Sequence, residues 1–169
     1  RGGEPGSGAE EDAMTTMYRA PRSAWLVDHA RRPRHRGVLA DAEATVPGGN
    51  PGCGDLITVY LRGDPAEDRV AAVSFEGEGC TLSQAAASIL LERVNRDRPT
   101  FAEIERASYE ELMTLVGRDL AEARPRCATL ALGVLKSAVR VAAMNRKLRT
   151  AGYSDAAIAL LRRGPATAP

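Results

Sequence analysis

The feature that most constrains this chain is a change of hydrophobic period at Gly79. Upstream of that glycine apolar residues alternate, and downstream they recur at steps of three and four. From Asp55 to Arg62, Ile57, Val59 and Leu61 alternate with Leu56, Thr58 and Tyr60, which predicts a strand whose odd-numbered face lines a core. Val70 to Phe75 predicts a second strand with Ala71, Val73 and Phe75 on one face, and a weaker one runs from Ala42 to Val46. Pro47 to Gly52 reads as a loop and Gly63-Asp64-Pro65 as a turn. Three consecutive strands with short connections favour an antiparallel meander.

Beyond Gly79, Leu82, Ala85, Ala86, Ile89, Leu90 and Val94 share one helical stripe. Thr100 with Glu103, and Ser108 with Glu111, fit capping boxes and predict two short helices, the second ending at Gly117. Pro125 suits the first turn of a mostly apolar helix, Cys127 to Ala143, which should be the buried one. Ser154 caps a last helix to Arg163, and a short helix, Ser23 to Ala30, precedes the strands and stops near Pro33. Strands followed by helices predict a single α+β domain over residues 18–163, a small three-stranded antiparallel sheet with helices packed on one face. Arg1 to Ala13 holds four Gly, one Pro and four acids, with Ala as its only apolar content. Residues 1–17 therefore read as a disordered tail, and 164–169 as a short fraying one.

Charge adds exclusions. Lys and Arg number 23 against 22 Asp and Glu, a net charge of +1, which leaves no electrostatic footprint for nucleic acid. Arg31, Arg32, Arg34 and Arg36 read as a solvated turn. No uninterrupted apolar run reaches the length of a bilayer span, and no basic-then-apolar leader opens the chain. The expectation is a cytoplasmic protein with no membrane partner.

Three cysteines carry the chemistry, and each falls at an element boundary. Cys53 sits in the Gly-rich loop Asn50-Pro51-Gly52-Cys53-Gly54-Asp55, Cys80 opens the helix after Gly79, and Cys127 lies in the first turn of the buried helix. An odd cysteine count without paired C-x-x-C knuckles fits neither a disulfide framework nor a zinc finger. A thiol at a helix N-terminus ionises more readily, because the helix dipole and free N–H groups favour the thiolate. Asp55, two residues after Cys53, can point to the same side of a strand mouth. Three thiolates and a carboxylate suit tetrahedral Zn²⁺ or an iron–sulfur cluster with one oxygen ligand. Three unrelated core cysteines are the alternative.

The strings Asp28-His29-Ala30-Arg31-Arg32-Pro33-Arg34, Asn50-Pro51-Gly52-Cys53-Gly54-Asp55, Gly77-Glu78-Gly79-Cys80-Thr81-Leu82-Ser83 and Arg124-Pro125-Arg126-Cys127-Ala128-Thr129-Leu130-Ala131 resemble, in order, motifs of the IscU/SufU/NifU N-terminal family of iron–sulfur assembly proteins. The resemblance spans about Tyr18 to Asn145. It implies that Cys53, Asp55, Cys80 and Cys127 converge as a site for Zn²⁺ or a labile [2Fe–2S] cluster. It also implies a cysteine desulfurase of the SufS, IscS or NifS kind as sulfur donor, with apo iron–sulfur proteins downstream. Cys53 and Cys127 are the candidate sulfur-handling thiols.

One position departs from the cluster scaffolds of that family. They have a ligating His immediately before the last cysteine, whereas this chain has Arg126, whose guanidinium cannot coordinate metal. In that respect it resembles the SufU branch of zinc-dependent sulfur acceptors, although the segment between Cys80 and Cys127 lacks the long insertion typical of that branch. Arg126 could offset the negative charge of a metal held by three thiolates and a carboxylate. His29 reads as packing the first helix, His35 as a surface residue, and Lys136 as snorkelling out of an apolar helix. Three functions remain open at this level: a cluster scaffold, a zinc-dependent sulfurtransferase, and a structural zinc adaptor.

Overall fold

The computed structural model describes residues 22–163, and its order of elements follows the change of period at Gly79. Among the described residues helix α1 (Arg22–Arg31) comes first, then strands β1 (Ala44–Asn50), β2 (Asp55–Gly63) and β3 (Val70–Glu78). Helices α2 (Thr81–Asp97), α3 (Phe101–Arg106), α4 (Tyr109–Val116), α5 (Arg118–Ala123), α6 (Pro125–Thr150) and α7 (Asp155–Arg163) follow. The strands form one antiparallel sheet in the order β1-β2-β3, with α2 and α6 laid across one face. The expected tails, 1–17 and 164–169, lie outside the described residues.

Alternation in β2 orients the sheet. Ile57, Val59 and Leu61 are buried while Leu56 faces out. In β3 the expected face is corrected at one position. Arg62 pairs with Ala72 and Gly63 with Val70, so a bulge skips Ala71 and turns Val70 inward in its place. Against this face α6 presents Ala128, Ala131, Leu135, Ala138 and Ala142, each at most 1% exposed. Part of α6 is long and apolar enough to cross a bilayer by length and composition; here its inward face is the core against which the sheet packs.

The loop expected over Pro47 to Gly52 is mostly strand, because β1 continues to Asn50. Two physical facts permit this. β1 is an edge strand, where Pro47 need not donate to a further neighbour. Gly48 has no side chain just where the Val134 side chain of α6 presses on the strand, so glycine here records close packing rather than a turn.

Helix boundaries follow their caps. Thr100 and Glu103 make the expected capping box. Ser108 caps α4 through the N–H of Glu110, a simpler cap than the box predicted with Glu111. α5 has six residues and no side-chain cap, so no local signal in the sequence marks it.

Candidate metal centre

Asp55 opens β2 on its inward face, so the pleat carries the carboxylate beneath the end of the sheet, where it is 1% exposed. The turn from Pro51 to Gly54 closes the hairpin over the Asn50–Asp55 pair. The Asn50 carbonyl accepts the N–H groups of Cys53 at 3.0 Å and Gly54 at 2.9 Å, and a φ of 70° at Gly54 lets the chain reverse. Cys53 stands exposed in this turn.

Cys80 is the N-cap of α2, its Sγ accepting the N–H of Ser83 at 3.5 Å. Its own N–H donates to Asp55 Oδ1 at 2.9 Å, and its Sγ lies 3.9 Å from Asp55 Oδ2. Gly79 makes that approach possible. A Cβ there would stand 2.7 Å from Asp55 Oδ1 and 2.5 Å from Ser83 Oγ. Cys127 enters from the first turn of α6 and is buried, with its Sγ 3.3 Å from Cys53 Sγ and in reach of Asn50 Nδ2 at 3.5 Å.

Thus β2, the hairpin turn and α6 bring Cys53, Asp55 and Cys127 into one group whose ligand atoms all lie within 4.8 Å of one another. Cys80 stands outside that mutual trio, attached to it through Asp55. The donor set fits a thiophilic cation. Two thiolates on one tetrahedral ion, with bonds of about 2.3 Å, lie roughly 3.8 Å apart, so the close sulfur pair needs to open by only about half an ångström.

Residues 22–148 match the NifU-like N terminal domain family. The chain belongs to this family. Among relatives of the NifU-like domain, the iron–sulfur cluster assembly scaffold protein IscU of Streptococcus pyogenes serotype M1 is 32% identical over 132 residues, covering 69% of this chain and 81% of its own length. The zinc-dependent sulfurtransferase SufU of Bacillus subtilis (strain 168) is 33% identical over 143 residues, covering 75% and 91%. A solved N-terminal NifU-like protein from Brucella abortus shares the fold with a TM-score of 0.60 at 22% identity, over 71% of this chain and 92% of that one.

The thiols of this NifU-like domain differ electrostatically. Burial raises the Cys127 pKa well above the usual thiol range, and hydrogen bonding with Asp55 and Cys53 and the charges of Cys80 and Asp55 act in the same direction. Burial also opposes ionisation of Cys80, but the backbone N–H and side chain of Ser83, with the N–H of Leu82, outweigh it, and its pKa falls below the ordinary value. The helix N-terminus therefore favours the thiolate at Cys80, whereas at Cys127 burial and the neighbouring Asp55 and Cys53 override it.

Other residues singled out in the sequence fall as follows. Arg126 is exposed, lines a cleft between β1 and α6, and forms no ion pair among the described residues. His29 is 1% exposed, and its Nδ1 lies 2.8 Å from Ser88 Oγ, in keeping with a packing role. Lys136 is half-buried rather than fully out at the surface. Its ammonium donates to the Ala107 carbonyl at 2.7 Å, at the end of α3, and lies over the Tyr109 ring. Asn50 and Gly79 were visible only as flanks of the cysteine motifs; the glycine spacing was the one signal, and their contacts are tertiary.

Proposed function

We propose that this NifU-like domain is an iron–sulfur cluster assembly protein that accepts sulfur from a cysteine desulfurase and holds a metal, as zinc or a labile [2Fe–2S] cluster, at Cys53, Asp55 and Cys127, with Cys80 completing the set. The convergence of two thiols and a carboxylate within 4.8 Å carries this reading. Cys53, Asp55, Cys80 and Cys127 would hold a divalent cation that keeps the sulfurs deprotonated at neutral pH. Cys53 is the thiol open to an incoming donor, and the buried Cys127 stands next to it. In the transfer, the attacking thiolate forms a new S–S bond to the terminal sulfur of the donor persulfide. The donor's own S–S bond breaks and its cysteine leaves as thiolate, so no net oxidant or reductant is consumed. Downstream recipients are apo iron–sulfur proteins, and a reducing compartment such as the cytoplasm keeps the three thiols free.

Arg126 favours a second emphasis, a zinc-dependent sulfurtransferase that passes sulfur on without holding a cluster. The residue before Cys127 is an exposed guanidinium, which offers no lone pair for iron. Anaerobic reconstitution with iron, cysteine and a desulfurase tests both. A stable visible chromophore supports the scaffold, and tightly retained zinc with stimulated desulfurase turnover supports the sulfurtransferase. The absence of chromophore, zinc retention and stimulation together would overturn the proposal.

A further inference from the structure

We infer that Asn50 is a positioning residue, whose side-chain amide donates to the Cys127 sulfur while its carbonyl holds the turn that carries Cys53; the inference rests on the metal-binding reading above. Asn50 ends β1 and is 5% exposed. Its Nδ2 reaches Cys127 Sγ at 3.5 Å, a contact between residues 77 positions apart. Its carbonyl accepts from Cys53 N and Gly54 N. One residue thereby ties the exposed sulfur and the buried one, and the two stand 3.3 Å apart.

The donor also has a chemical consequence. A buried thiolate needs hydrogen bonds in place of the water it has lost, and Asn50 supplies an N–H where the neighbouring groups are a second thiol and a carboxylate, both rich in lone pairs. An N–H directed at a ligating sulfur withdraws electron density from it and fixes its orientation, in the manner of outer-shell partners at metal sites. The backbone role survives any substitution at position 50 that preserves the turn, so the side-chain role can be tested separately.

The experiment loads the full 169-residue chain with Co²⁺ and compares wild type with Asn50→Ala and Asn50→Asp, all checked for native circular dichroism. Loss of the donor should move the sulfur-to-cobalt charge-transfer band to longer wavelength in both variants and weaken Co²⁺ retention by about 10–100-fold. Asn50→Asp, which keeps the shape but directs a carboxylate at the sulfur, should be at least as impaired as Asn50→Ala. A purely steric role predicts the reverse order, with the aspartate near wild type, and that result overturns the inference, as does an unshifted band in both variants. Wild-type protein that binds no Co²⁺ defeats the metal-binding reading itself, an outcome distinct from a bound but indifferent site. If a variant is misfolded, Asn50→Val, which also lacks a side-chain donor, takes its place, with the same band shift expected and an unshifted band again counting against the inference.

Discussion

The carboxylate of Asp55 accepts the backbone N–H of Cys80 at 2.9 Å, so the first residue of β2 fixes the start of α2 across 25 positions of sequence. This bond fastens the sheet to the helix, and it holds the oxygen donor next to three sulfurs.

Gly79→Ala should break that relationship with little cost elsewhere. The new Cβ would crowd Asp55 Oδ1 and Ser83 Oγ, and both lie on short side chains with little room to retreat. We expect a folded protein whose zinc affinity falls about tenfold or more, as when a supporting group at a metal site is disturbed. Competition with a chromophoric chelator measures this, and unchanged affinity would remove Gly79 from the account.

Gly48→Ala addresses the fold instead. A methyl group at position 48 collides with Val134, and overpacking of this kind costs roughly 1–3 kcal/mol. Gly48→Ala with Val134→Ala should recover part of the loss, because the two side chains contend for one space. Denaturant unfolding of both single variants and the pair reads the coupling energy.

Acid should loosen the α1–α2 contact. Burial depresses the His29 pKa, with the Arg34 charge adding to it and Glu92 and Asp28 opposing. The unfolded chain takes up this proton first as pH falls through about 6.5, so the native state is favoured fully above that value and loses stability below it, until the folded pKa is reached. His29→Gln should flatten the stability profile between pH 7 and 5, measured by thermal melts across that range. A variant profile as steep as wild type would count against His29 as its source.

Removing metal should leave the domain folded. A structural zinc module unfolds on chelation because binding supplies its folding energy. Here Val59, Leu61, Phe75, Leu91 and Leu135 are each 0% exposed in a core that continues far from the thiols. Far-ultraviolet circular dichroism before and after chelation should agree, and a cooperative loss of signal would favour the structural adaptor.

Local pattern was legible wherever one residue type repeats on one period. Ile57, Val59 and Leu61 marked the inward face of β2 because a strand side chain has only two directions to choose from, and Thr100 with Glu103 marked a helix start because capping is settled within four residues. The cysteines and Asp55 could be picked out for the same reason, since glycine and helix-start signals surround them in sequence. What the chain alone did not reveal depends on contact between distant segments. Gly48 reads as a turn residue until Val134 is seen above it, Ala71 reads as core until a bulge exchanges it for Val70, and Lys136 reads as solvent-bound until the Ala107 carbonyl meets it. The sequence by itself marked most of the elements and the candidate ligand residues. Only the tertiary structure decided that Cys53, Asp55 and Cys127 share one centre with Cys80 at its edge, because side-chain distances across 74 residues are set by how α6 seats on the sheet, which no local propensity encodes.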